Sequence, residues 1–292
     1  MQLIQSKTTT GIILADDLFD KEAGIYYHLS LELAQEGLLF TLLDIKRNKY
    51  IFLKTHHFQH VYNVEMACNE LANIVNEEKL LQQVFRTVSL SIVTPKFTLV
   101  PSALFDQNKR ENYLNFNSQW NESEEEISSN YLKNLQIYNV FALPNVVKNT
   151  TLKLFPNAKI YHQGVPLLES VVARYKNQEN EKVIVHVQAS HLEIIVLEGK
   201  KLIFFNTFNY KTSEDFIYYI LFTCEQLKLN PEELHLTLIG EIKQDASLYV
   251  ILNKYIRNIH FGLRPDNFEY SEAFEEIPKH FYFNLFSQYL CV

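Results

Sequence analysis

The chain has 292 residues, 47% of them apolar and 21% charged, with a formal net charge of -7. That length holds two ordinary domains, each with its own core. The composition excludes a disordered chain, and the acidic balance argues against a general binder of nucleic-acid backbones. Three cysteines, Cys68, Cys224 and Cys291, lie far apart in apolar settings without metal or disulfide spacing. They read as core thiols of a reducing compartment. No apolar run approaches the roughly 20 residues of a membrane helix, and the N-terminus lacks the plan of a signal peptide, so the expected location is the cytoplasm. Seven glycines in all leave few for loops that bring backbone close to phosphate.

In chain order, Met1 to Glu22 shows no sustained period and reads as an arm on the first domain. From Tyr27 the pattern has period two, with His28, Ser30 and Glu32 alternating with Leu29, Leu31 and Leu33, a half-buried strand. Gln35-Glu36-Gly37 turns into a hairpin, Phe40 to Phe58. Asn63 caps a helix carried by Val64, Ala67, Cys68, Leu71 and Ile74. A short helical piece, Glu77 to Phe85, precedes a strand, Thr87 to Val93, and an extended run, Phe97 to Val100, between Pro95 and Pro101. Asp106 to Glu126 is polar, its acidic run Asn121 to Glu126 reading as a solvated loop or helix end. Trp120 in this stretch is expected to be exposed. Leu135 to Leu143 is apolar again, and a helical stretch then ends near Phe155. A strand over Ala158 to Gln163 follows, and Gly164-Val165-Pro166 opens a helix through Tyr175. The polar segment Lys176 to Lys182 separates a first domain, residues 1–176, from a second, residues 183–292.

The second domain opens with a strand and hairpin, Val183 to Tyr210. Thr212-Ser213-Glu214-Asp215 forms a capping box for a helix burying Phe216, Tyr219, Ile220, Thr223, Cys224 and Leu227. Leu234 to Gly240 is a mostly buried strand. Gln244 to Ile256 reads as helical, Ile259 to Leu263 as extended, and Phe281 to Leu290 as a closing amphipathic helix.

The two hairpins match. Phe40 to Phe58 lies over Leu192 to Tyr210 without a gap, with Lys49/Lys201, Ile51/Ile203, Phe52/Phe204 and Thr55/Thr207 identical. Leu42/Ile194, Leu43/Ile195, Ile45/Leu197 and Phe58/Tyr210 are apolar or aromatic in both. This is the pattern of a duplicated domain.

Two copies of a three-stranded meander followed by alternating helices and strands resemble the actin, Hsp70 and sugar-kinase superfamily, whose halves are ribonuclease-H-like domains. The chain looks most like a bacterial family of unknown function with an actin-like ATPase fold. Its second half, with EQLKLNPEEL (Glu225 to Leu234) leading to a strand that ends in glycine, is similar to cytoplasmic actin-like components of pilus assembly and type II secretion. The resemblance implies an α/β fold of two such domains, each a mixed sheet with flanking helices. It also implies an Asp-x-Gly turn in each half, where aspartate organises metal and water and glycine admits phosphate. The matching positions are Glu32-Leu33-Ala34 and His186-Val187-Gln188, and neither keeps the motif. Where a Gly-Gly pair is expected, Ile239-Gly240-Glu241 keeps one glycine and adds a carboxylate that would repel polyphosphate. Gly164 and the helix after it resemble the helix joining the halves.

The candidate cleft residues are therefore Glu32, Ala34, Gly164, His186, Gln188, Gly240 and Glu241. His186 and Gln188 share a strand face. Glu32, with Asp44 or Glu193, could replace the missing aspartate, although solvated strand carboxylates are the plainer reading. His56 and His57 face opposite sides of a strand and make no metal site with His60; no catalytic residue is assigned. The reading that follows is a non-catalytic scaffold with protein partners and no predicted cofactor. The alternative is a divergent ATPase or small-molecule kinase using ATP and magnesium, and a third possibility is a binding module for another ligand held by His186 and Gln188.

Overall fold

The computed structural model describes residues 7–178 and 181–292. What the sequence suggested for residues 1–6 of the arm and 179–180 of the polar segment lies outside the described residues. The chain forms two compact units. Unit 1 takes residues 7–167 together with Asp266–Glu276 and Leu285–Val292, and unit 2 takes Leu168–Pro265 and Ile277–Asn284.

Unit 1 begins with strands β1 (Lys7–Ala15), β2 (Tyr27–Ala34), β3 (Gly37–Asp44) and β4 (Lys49–Gln59), then helix α1 (Val64–Glu77). It continues through β5 (Thr87–Ile92), β6 (Phe97–Pro101), α2 (Arg110–Asn115), β7 (Glu125–Leu132), β8 (Ile137–Pro144), α3 (Asn145–Leu154) and β9 (Lys159–His162). Helix α4 (Gly164–Tyr175) starts in unit 1 and continues in unit 2. Unit 2 then contains β10 (Glu181–Val187), β11 (His191–Glu198), β12 (Lys201–Asn209), α5 (Ser213–Leu227), β13 (His235–Gly240), α6 (Ser247–Leu252) and β14 (Asn258–Phe261). The two-residue β15 (Glu269–Tyr270) belongs to unit 1, and α7 (Phe283–Ser287) crosses the last boundary.

The main sheet of unit 1 runs β1-β4-β3-β2-β5-β9, with β15 beside β4; β6-β8-β7 is a separate sheet. The sheet of unit 2 runs β12-β11-β10-β13-β14. Hairpins pair antiparallel, whereas β2 with β5 and β10 with β13 pair in parallel after a helical crossover.

The helices follow from their caps and stripes. Asn63 Oδ1 accepts from Met66 N at 2.9 Å, and α1 buries Ala67, Cys68, Leu71, Ile74 and Val75. The capping box at Thr212 and Asp215 is formed, and α5 buries Phe216, Ile217, Ile220, Thr223 and Cys224. That helix stops where Lys228 turns left-handed at φ 58° and its N–H reaches the carbonyls of Cys224 and Glu225.

Several expectations are corrected. The N-terminal arm is the edge strand β1, paired antiparallel with β4 from Lys7↔Gln59 to Ala15↔Phe52. Strand β2 is buried on both faces, because it lies inside the sheet between β3 and β5. The acidic run is only partly a solvated loop, since Glu125 and Glu126 begin β7 and meet Lys96 and Lys148. Trp120 is half-buried against a small core that includes Val100, Leu114 and Val140, and its Nε1–H donates to Asn115 Oδ1 at 2.9 Å. Cys68 and Cys224 are buried, but Cys291 is half-exposed. The helix expected over Gln244 to Ile256 shrinks to α6, and the closing helix is α7 followed by a 3-10 turn, Gln288–Cys291.

The gapless match of the hairpins also needs adjustment. Both carry a bulge, with Ile51 of β4 the extra residue opposite Leu42 and Leu43 and Ile203 of β12 the extra residue opposite Val196 and Leu197. Leu42 faces Phe52 and Val196 faces Phe204, so β4 and β12 correspond as read, while β3 and β11 are offset by a further two residues. Ile45–Asn48 connects the first hairpin and Gly199–Lys200 the second, which absorbs the difference. A two-residue slip keeps every side chain on its own face of the strand, so the apolar pattern concealed it.

Candidate functional site

In unit 2 the candidates gather at the β10–β11 turn. The antiparallel register sets His186 opposite Glu193. Both are buried, and Nδ1 lies 2.7 Å from Glu193 Oε2. In this arrangement Nδ1–H donates to the carboxylate and Nε2 accepts from the Gln188 amide at 3.2 Å. His191 Nε2 lies 3.8 Å from the other oxygen of Glu193. The predicted shared face of His186 and Gln188 is thus present, and its partner, Glu193, is a buried group rather than a solvated one.

Gly240 ends β13 at φ 91°, where a side chain is disfavoured. A Cβ there would collide with Val187 O and lie 2.9 Å from His186 Cδ2. The main-chain donors of this corner are engaged. Gln188 N–H donates to His191 O at 2.9 Å, Gly240 N–H to His280 O at 2.8 Å, Glu241 N–H to Val187 O at 2.8 Å and Ile242 N–H to Gly240 O at 3.0 Å. His280 is held by donation from Nε2 to Ile242 O at 2.7 Å, and burial pushes its pKa down. Glu241 is half-exposed.

In unit 1 the matching turn joins Ala34 to Gly37. Glu32 lies two residues before it, as His186 lies two before Gln188. Glu32 is buried, with Ser91 Oγ at 3.5 Å from its Oε2. The expectation of a solvated carboxylate fails for the reason given for β2, that the strand is internal. Parallel pairing aligns His28, Ser30 and Glu32 with Thr87, Ser89 and Ser91, making a buried polar layer. Gln288 completes it, accepting from Ser89 Oγ at 2.7 Å and donating to Leu31 O at 2.8 Å and Ser91 Oγ at 3.0 Å. His28 sits 2.8 Å from Thr87 Oγ1 and 3.1 Å from Ser89 Oγ, with burial lowering its pKa to about 3. Ser89, Ser91 and Gln288 escaped the sequence reading, because only sheet register and the returning C-terminal segment unite them.

Gly164 opens α4 buried, and its N–H donates to His162 Nδ1 at 3.0 Å. The same Nδ1 accepts from Asn139 Nδ2 at 3.0 Å while Nε2–H donates to Thr94 O at 2.9 Å. Asp44 is salt-bridged to Arg47 at 2.6 Å. His56 is buried on β4 and His57 exposed, on opposite faces as expected.

An ATP-type site needs main-chain N–H groups turned toward phosphate and a carboxylate open to metal. Here the N–H groups of Gln188, Gly240, Glu241 and Ile242 already serve carbonyls, the one glycine of the corner is used for close approach to Val187, and Glu193 is taken by His186. These residues do not fit a polyphosphate in the manner of the Asp-x-Gly and Gly-Gly motifs.

The architecture has relatives among solved structures. A protein from Bacteroides thetaiotaomicron, described as having an actin-like ATPase fold and unknown function, matches with TM-score 0.76 at 24% identity, over 84% of this chain and 94% of that one. The PilM-PilN type IV pilus biogenesis complex matches with TM-score 0.60 at 14% identity, over 91% of this chain and 98% of that one. The chain therefore has the actin-like ATPase fold that its sequence resembles. No curated protein matches it in sequence. A family model described as Protein of unknown function (DUF3822) matches residues 16–259.

Proposed function

The chain belongs to the DUF3822 family, and from that premise we propose that it is a non-catalytic member of the actin-like fold that acts by holding protein partners. The observation carrying this reading is the closed corner of unit 2, where the N–H groups of Gln188, Gly240, Glu241 and Ile242 are spent on internal carbonyls and Glu193 on His186. A nucleotide would have to break these bonds before making its own, and each buried group left unpaired costs about 1–3 kcal/mol. The structural match to a chain of the PilM-PilN type IV pilus biogenesis complex supports a partner-holding role. The equivalent bulges of the two hairpins support descent of both halves from one domain, with the nucleotide motifs lost in each.

The test is calorimetric titration of the full chain with ATP and ADP, with and without magnesium. Expected is no saturable heat up to millimolar nucleotide. Magnesium-dependent binding in the micromolar range, abolished by Glu32→Gln, would overturn the reading in favour of an ATPase or kinase using replacement carboxylates.

A further inference from the structure

The two hairpins differ in what lies along their outer strand. In unit 1, β4 is covered by β1, and three contacts fasten the cover. Asp16, just past the end of β1, sets its carboxylate 2.7 Å from Lys49 Nζ. Its N–H donates to Ile51 O at 2.8 Å. At the β1 bulge, between Thr10 and Ile13, Ile12 N–H donates to Thr55 Oγ1 at 2.9 Å. Gly11 permits this approach, since a Cβ there would lie 2.5 Å from Thr55 Oγ1 and 2.6 Å from His57 Nε2.

In unit 2, β12 is the outermost strand of its sheet. It keeps the same anchors at the corresponding register, with Lys201 for Lys49, Ile203 for Ile51, Phe204 for Phe52 and Thr207 for Thr55. Lys201 is exposed, and Thr207 Oγ1 is buried without a hydrogen-bond partner among the described residues. Between Leu202 and Phe208 the strand has no charge, no proline and no glycine, and its one irregularity, the bulge at Ile203, has its counterpart at Ile51 of β4, a strand that pairs with β1 all the same. Beside it an aromatic ladder runs from Phe208 to Tyr219 at 4.7 Å, and Tyr218, 58% exposed, stacks on Phe222 at 5.8 Å.

We infer that the β12 edge is a docking site for an extended segment of a partner protein, added antiparallel as β1 is added to β4. The recognised chemistry is that of Gly11 to Asp16: a glycine opposite Thr207, an apolar stretch, and a carboxylate five residues after the glycine that pairs with Lys201. Main-chain bonds along the edge supply affinity and the two anchors set register. A second copy presenting its own β12 is the poorer occupant. Full antiparallel self-pairing brings the Lys200 and Lys201 end of one strand toward Lys211 of the other, and like charges repel. The inference rests on the reading that protein partners are what this chain binds, but on different residues from the corner of unit 2.

The experiment uses the full chain and a labelled peptide of the β1 sequence, KTTTGIILADDL, followed by fluorescence anisotropy. Saturable binding is expected, weakened at least about tenfold by Lys201→Glu and a few-fold by Thr207→Val, which keeps shape but removes the acceptor. A peptide with the Asp16 position changed to Lys should lose affinity for the native chain and regain it for the Lys201→Glu chain. Lys153→Glu, an exposed charge reversal on α3, should leave the affinity unchanged. Absence of binding at millimolar peptide, or binding indifferent to Lys201 and Thr207, would overturn the inference. So would self-association of the chain abolished by Lys201→Glu, which would make a second copy the occupant. Peptide failure together with silent nucleotide calorimetry leaves the partner-holding role standing and removes this edge; nucleotide binding with an intact peptide response does the reverse.

Discussion

Asp16 is a small group with a large share in holding β1 down. The Lys49 ammonium beside it keeps its carboxyl at about 2, against an ordinary value of 3.8. A carboxyl depressed on folding adds stability above its unfolded pKa and loses it as the pH falls through the folded one. The contribution here, about 2 kcal/mol at neutral pH, is therefore expected to disappear between about pH 4 and pH 2. Urea denaturation across that range should find Asp16→Asn less stable than the native chain at pH 7 and converging with it near pH 2. A constant difference at every pH would show that the side chain acts through shape and not charge. Gly240 belongs to the same scale, since its left-handed backbone and its closeness to Val187 leave no room for a side chain. From the sequence it looked like a survivor of a nucleotide motif, yet packing of β13 against β10 is sufficient reason for glycine there.

Helix α5 shows how far one element can be read locally. Thr212 accepts from Asp215 N–H at 3.1 Å, and Asp215 Oδ2 accepts from Thr212 N–H at 3.1 Å. The box, the acidic first turn and the apolar stripe are all local signals, and the structure forms each of them. Thr212→Ala is expected to cost about 1 kcal/mol, seen as a lower midpoint of unfolding by circular dichroism, with the nucleotide titration unchanged. A loss under a few tenths would mean that packing of Phe216 and Ile220 alone sets where the helix starts. Strand β1 is the opposite case. Nothing local in KTTTGIILA distinguishes an edge strand from a loose arm, because the ladder hydrogen bonds of an edge strand all go to its single neighbour, here β4, which is remote in sequence.

The C-terminal segment acts on the scale of the whole chain, since Gln288 reaches Leu31, Ser89 and Ser91 of the polar layer in unit 1. Gln288→Leu fills the same space without the amide and strands those groups, so a loss of about 1–3 kcal/mol is expected, measured by denaturant unfolding of the full chain. An unchanged midpoint would mean that Ser89 and Ser91 find other partners. Of the candidate site, the sequence by itself determined the positions flanking the two turns, Glu32 with Ala34 and His186 with Gln188. Period-two alternation and short turns are local properties that fix which residues stand at a hairpin's end. It also determined the actin-like architecture and the match of β4 with β12, through order of elements and repeated side chains. Only the tertiary structure decided that Glu32 and Glu193 are buried, that the turn N–H groups serve carbonyls, and that β4 is covered where β12 is open. Each of those depends on which strand lies next to which. Strand neighbours are chosen by pairing across long stretches of chain, which side-chain periodicity within one strand does not encode.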